Sequence, residues 1–273
     1  SLDKSLKKNL PKHVAFIMDG NRRWAKKKKL KIIDGHKKGS EVVRNIVKKS
    51  LELDIKYLTF FSFSTENWNR SRDEITLIAV SKKKSFELIK IALENGINNF
   101  GENYAQELQE KSSLIDSDNI VWHFIGPIQS NKVKVIANNA DWIHTLEREK
   151  IIRKFNDECK KINKVINGCI QINISSEKSK SGCSPDELFD IAKLVESMEN
   201  INLKGIMALP KLTNDKKERD HMMEEVINLS VKLQKIYPNA SAISLGTTSD
   251  YEDAIIHGSN MLRIGESIFG KRS

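Results

Sequence analysis

From Thr76 onward the chain alternates short apolar stretches with amphipathic ones eight times, and this rhythm limits its possible folds more than any other feature. The apolar stretches fall near 76–81, 98–101, 121–126, 142–146, 169–174, 203–209, 242–246 and 261–265. Each has the length of a strand, and the gaps carry apolar residues at helical spacing, among them 85–95, 147–163, 185–198 and 216–236. Strands separated by helices pair in parallel, because a parallel crossover needs a dozen or more residues. Eight such units in roughly 200 residues predict a compact α/β barrel, a (β/α)8 fold of TIM type with its chemistry at the C-terminal ends of the strands.

The stretch before Thr76 has a different character. Val14–Met18 and Tyr57–Phe63 are apolar enough for buried strands, and Val42, Val43, Ile46, Val47 and Leu51 between them have helical spacing. These residues predict one βαβ unit, too small to cover both faces of its own sheet. Charge breaks at the same place: residues 1–70 hold 18 Lys/Arg against 7 Asp/Glu, whereas the rest hold 28 against 29. The expected division is therefore a partial βαβ fragment over 1–70 and a barrel over 71–273. The Lys26–Lys29 run reads as a solvated face or a rim attracting diphosphate, and nucleic acid is not expected as a partner. No apolar run approaches the roughly 18–20 residues of a membrane helix, and the first residues lack a signal peptide's apolar stretch. The expected location is the cytoplasm. Cys159, Cys169 and Cys183 are odd in number and lack C-x-x-C spacing, as reduced thiols would.

Several residues stand where a barrel keeps its chemistry. Lys82 directly follows the first barrel strand, at the C-terminal mouth, although Lys82–Lys84 taken alone reads as a solvated turn. Ser249-Asp-Tyr-Glu252 has the pattern of a capping box, whose helix N-terminus attracts anions, and Gly265 would let a phosphate approach the backbone. Arg263 lies in the last strand. His123, between Trp122 and Phe124, is expected as a satisfied core histidine, and Met207 as core. Tyr104 has no spacing that marks it as an acid or base.

Thr76-Leu-Ile-Ala-Val-Ser-Lys82, Phe100-Gly-Glu-Asn103-Tyr, Trp122-His-Phe-Ile-Gly126, Ser179-Lys-Ser-Gly182-Cys-Ser-Pro and Arg263-Ile-Gly265 occur in one order. In that order they resemble the pyridoxal 5′-phosphate (PLP) homeostasis family, an alanine-racemase-like PLP barrel, over about three quarters of the chain. The resemblance implies that Lys82 holds PLP as a Schiff base, with Asn103, Ser249, Arg263 and Gly265 as further cofactor contacts. Arg263 then faces the pyridine nitrogen, where a guanidinium disfavours ring protonation and so carbanion chemistry. Glu266 departs from the family pattern, which often has Thr or Ser there. The second domain that gives alanine racemases a catalytic tyrosine is not expected. The implied function is a PLP carrier without turnover, supplying PLP-dependent apoenzymes; a PLP-dependent amino-acid racemase is the alternative on the same lysine.

His13-Val-Ala-Phe-Ile-Met-Asp19-Gly-Asn21-Arg-Arg-Trp24 and Ser64-Thr-Glu66-Asn67-Trp68-Asn-Arg70 resemble the opening of a cis-prenyltransferase, the undecaprenyl diphosphate synthase kind. That resemblance implies Asp19 as a Mg2+-linked carboxylate and Asn21, Arg22, Arg23 and His36 as diphosphate contacts. Ile32 replaces an arginine expected four residues before His36, and the later diphosphate-binding and metal-binding segments have no counterpart after residue 75. Isoprenyl diphosphate synthesis is thus a second alternative, needing Mg2+, with the site expected to be vestigial.

Overall fold

The computed structural model describes residues 13–17, 27–30, 38, 41–49, 57–61, 75–115, 119–175, 181–211 and 213–270. The chain divides into two compact units, Ser1–Glu74 and Ile75–Ser273. In the first, β1 (His13–Ile17) pairs in parallel with β2 (Tyr57–Phe61), His13 opposite Tyr57 and Ile17 opposite Phe61. Residues 41–49 between them are helical, with Val43 and Ile46 half-buried and Val42 and Val47 exposed. The buried stripe is narrower than the sequence implies.

The second unit is a closed parallel barrel of β3 (Thr76–Val80), β4 (Asn99–Glu102), β5 (Val121–Phe124), β6 (Trp142–Leu146), β7 (Ile166–Ile172), β8 (Ile201–Ala208), β9 (Ala242–Thr247) and β10 (Met261–Ile264). Strands are neighbours in sequence order, and β10 closes on β3 with Arg263 opposite Ile78. Two apolar layers result. Ile78, Cys169, Met207, Ala242 and Met261, with Trp142, form a small inner core, whereas Phe100, Phe124, Phe155 and many Ile and Leu side chains pack between strands and helices. A filled interior means that the barrel is no pore, so a ligand must sit at its mouth.

The helices are α1 (Phe86–Glu94), α2 (Ala105–Leu114), α3 (Val133–Asn139), α4 (Glu149–Lys161), α5 (Leu188–Glu196), α6 (Lys216–Ile236), α7 (Tyr251–His257) and α8 (Glu266–Phe269). Their apolar stripes face the strands; α4 buries Ile151, Ile152, Phe155 and Cys159, spaced for one helical face. Asp215 caps the longest helix, α6, accepting from the N–H groups of Lys217 and Glu218 at 2.8 and 3.4 Å. All three cysteines are free and buried. Burial pushes their thiols up to about 11 for Cys159 and about 12 for Cys169 and Cys183, so they are inert at neutral pH. Among the described residues no helix is long and apolar enough to cross a membrane.

Candidate functional site

Lys82 sits in a turn that the fold holds from both sides. The turn is closed by the Lys84 N–H donating to the Ser81 carbonyl at 3.0 Å. Lys83, its third residue, adopts φ +57°, a left-handed conformation that costs a non-glycine residue roughly 1–2 kcal/mol. The offsetting contacts come from α2. Glu107 Oε2 accepts the Lys83 N–H at 2.7 Å, and Lys111 Nζ donates to the Ser81 carbonyl at 2.7 Å. Lys111 also donates to Glu102 Oε1 at 2.8 Å and Glu107 Oε2 at 2.9 Å, while Ser81 Oγ donates to Glu102 Oε1 at 2.6 Å. The peptide groups flanking Lys82 are therefore gripped by one i, i+4 pair of α2, and Lys82 itself is half-buried.

The grip is buried and charged. Glu102 is fully buried and Lys111 nearly so. Burial pushes the Glu102 carboxyl above its ordinary range, with Lys111 and Ser81 opposing. At Glu107 burial also raises the carboxyl, but Lys111 and the Lys83 N–H outweigh it and the net direction is down. Lys84 Nζ donates to the carbonyls of Phe269 and Gly270, each at 3.2 Å, tying the same turn to the segment after β10.

Asn103 follows β4. Its Oδ1 is buried without a hydrogen-bond partner among the described residues, an acceptor whose desolvation none of them offsets. Gly126 presses on it from the end of β5: a Cβ there would stand 2.1 Å from the Asn103 carbonyl oxygen, so only glycine allows this approach.

Arg263 lies inside the barrel, 4% exposed. Its Nη1 donates to Ser244 Oγ and its Nη2 to the Ala208 carbonyl at 2.9 Å. No carboxylate hydrogen-bonds it among the described residues. Burial lowers its pKa to about 10, with Asp250 opposing, which still leaves a cation at neutral pH.

One expectation needs correction. The capping box at Ser249 does not form: the N-cap of α7 is Asp250, and Ser249 Oγ, exposed, lies 3.2 Å from Thr247 Oγ1. Asp250 Oδ1 instead accepts from Thr247 N and Oγ1 at 2.7 and 2.9 Å, because that carboxylate satisfies the turn's donors before a serine can. At Gly265 a Cβ would lie 3.2 Å from the Val80 carbonyl oxygen and 3.3 Å from Val80 Cβ, so packing also favours glycine there. Glu266 is exposed at the start of α8.

His123 is fully buried between Asn99 and His144, and Met207 is core, as their sequence setting implies. Tyr104 is half-exposed at the N-cap of α2. Glu102 lies within the Phe100–Tyr104 motif with no role implied for it there, and Lys111, His144 and Ser244 carry no motif; their signal is a polar side chain in an apolar strand or at the inner face of a polar helix. Asp19, Asn21, Arg22, Arg23, His36 and Ser179 lie outside the described residues. Among the described residues no group of three or more His, Cys, Asp or Glu could hold a metal.

The chain is 41% identical over 209 residues to the pyridoxal phosphate homeostasis protein of Haemophilus influenzae, covering 75% of this chain and 88% of that protein. It belongs to the pyridoxal phosphate homeostasis protein family. PipY of Synechococcus elongatus, solved with PLP bound, superposes with a TM-score of 0.66 at 26% identity, over 72% of this chain and 92% of PipY. Alanine racemase of Clostridium difficile shares the fold alone: TM-score 0.64 at 15% identity, over 75% of this chain and 55% of the racemase. The family model of undecaprenyl diphosphate synthase, a prenyltransferase, matches residues 17–111. Of that match, the stretch from 76 is built into β3, α1, β4 and α2 of the barrel.

The residues present suit the cofactor of this family. A lysine stands on a fixed turn at the end of β3, the buried Oδ1 of Asn103 lacks a donor among the described residues, and Arg263 spends two of its five N–H groups on neutral acceptors.

Proposed function

We propose that this protein binds PLP at the barrel mouth and carries it within intracellular PLP homeostasis, delivering it to PLP-dependent apoenzymes. The position of Lys82 supports the reading: family membership supplies the cofactor, and Glu107 and Lys111 hold the backbone turn that carries Lys82 directly after β3. When bound, PLP supplies an aldehyde that a lysine amine can attack. Lys82 would hold the cofactor covalently, and Asn103 would contribute polar contact. Arg263 would meet the ring nitrogen. Backbone groups near Ser249 and Gly265 would hold the phosphate.

Absence of turnover is part of the proposal. A buried guanidinium at the ring nitrogen keeps that nitrogen unprotonated, which weakens the electron withdrawal that racemases and transaminases with an acidic partner exploit. Borohydride reduction of the purified protein, followed by peptide mapping, is expected to place the adduct on Lys82. An equal adduct on another lysine in Lys82→Ala would overturn the assignment. Across a panel of amino acids, racemisation and transamination should stay far below roughly 1 s⁻¹, the low end of ordinary enzyme rates. Turnover at or above that rate would make the protein an enzyme.

A further inference from the structure

A single polar chain crosses the barrel interior, and no part of the PLP reading requires it. Asn99 Nδ2 donates to Asn98 Oδ1 at 2.8 Å, and Asn99 Oδ1 lies 2.8 Å from His123 Nε2. His123 Nδ1 lies 2.9 Å from His144 Nε2, and His144 Nδ1 lies 2.8 Å from Ser244 Oγ, which accepts from Arg263 Nη1. The members come from β4, β5, β6, β9 and β10. His123, His144 and Ser244 are fully buried. The rings of His123 and His144 are 5.1 Å apart, and Trp142 stacks on His123 at 5.7 Å.

The direction of this chain follows from its ends. A guanidinium only donates, so Ser244 Oγ accepts from Arg263 and has one hydrogen to give. His144 Nδ1 is its only acceptor among the described residues. Nδ1 is then bare, the His144 proton sits on Nε2 and points to His123 Nδ1, and the His123 proton sits on Nε2 and points to Asn99 Oδ1. Asn99 can accept there because its Nδ2 is already turned to Asn98. The opposite direction would aim His144 Nδ1–H at Ser244 Oγ together with Arg263. The serine hydrogen would then be stranded in a dry interior, a loss of roughly 1–3 kcal/mol.

We propose that Ser244 and His144, backed by His123 and Asn99, are positioning residues for Arg263: a one-way relay that fixes the guanidinium in the barrel and holds both imidazoles neutral as Nε2–H tautomers. Arg263 is then the only cation of the relay. Burial disfavours any second one, holding His123 down to about 3 and His144 well below its ordinary value. The consequence for the cofactor rests on the PLP reading above, in which the guanidinium so fixed meets the ring nitrogen. Loss of the relay should change how the ring is held without touching Lys82.

The test uses the full chain with 15N-labelled histidine. In the wild type without PLP, both His123 and His144 should show a protonated Nε2 and a bare Nδ1; a protonated Nδ1 on either one overturns the relay. Ser244→Ala should move the His144 Nδ1 resonance, weaken PLP binding about tenfold, the scale of one hydrogen bond to a charged group, and shift the absorbance maximum of bound PLP. A folded Ser244→Ala protein with wild-type affinity and spectrum also overturns it. If Ser244→Ala does not fold, the wild-type tautomers alone decide. If the wild type forms no borohydride-trappable adduct on Lys82, the PLP reading falls by itself, and the tautomers still decide whether the relay holds Arg263.

Discussion

Lys111 shows how much one side chain can carry. Its ammonium bonds the Ser81 carbonyl, Glu102 Oε1 and Glu107 Oε2 together, and Glu102 Oε2 beside it is buried with no hydrogen-bond partner among the described residues. Lys111→Met should therefore cost about 3–5 kcal/mol of stability, the usual penalty for stranding a buried charge. The double variant Glu102→Gln/Lys111→Met should recover much of that in urea unfolding while leaving the Lys82 turn loosened, which a slower borohydride-trapped adduct would report. The two interior histidines predict a pH effect of definite sign. Both are held below the unfolded value of about 6.5, His123 by burial and His144 by burial, then His123 and Arg263. The stability they contribute is fully present above pH 6.5 and is lost as pH falls from 6.5 towards 3. Urea unfolding should therefore show stability falling between pH 7 and 5.5, and His123→Gln should remove about half of that dependence. Neither arrangement is legible in the sequence. His123, His144, Ser244 and Arg263 are single polar residues spread over four strands, and only barrel closure makes them neighbours.

At the scale of elements, legibility follows apolar content. The eight barrel strands are readable because each is a short, nearly continuous buried run, and α4 and α6 because their length exposes the helical period. Ala105–Leu114 and Val133–Asn139 are harder: the first is mostly polar and the second only seven residues long, so neither shows two full turns of a stripe. The start of α7 is misread because Ser249 and Asp250 are both cap-type residues, and Asp250 takes the N-cap position while its carboxylate bonds back to Thr247. Caps also give a direct test. Asp215 accepts from two N–H groups at the head of α6, so Asp215→Ala should cost about 1 kcal/mol in thermal or urea unfolding. At Gly126 a methyl group has no room beside the Asn103 carbonyl, and Gly126→Ala should cost about 1–3 kcal/mol and weaken PLP binding by displacing Asn103.

For the whole molecule, two families meet in one chain, and the barrel decides which one governs. The prenyltransferase match runs to residue 111, yet from Thr76 those residues are strands and helices of a closed barrel and cannot also complete a prenyltransferase sheet. The full chain given Mg2+, an allylic diphosphate and isopentenyl diphosphate should therefore yield no elongated product; elongation abolished by Asp19→Ala would give the first unit an activity of its own. Closure of β10 on β3 also orders events in time. The Lys82 turn is tied through Lys84 to carbonyls 185 and 186 residues further on, and Arg263 arrives with the last strand. At ordinary translation speeds roughly 10–40 s separate the two halves of the site. On the PLP reading, a ribosome-bound chain thus carries Lys82 well before Arg263 and the carbonyls that tie its turn have been made, so loading belongs to the released protein.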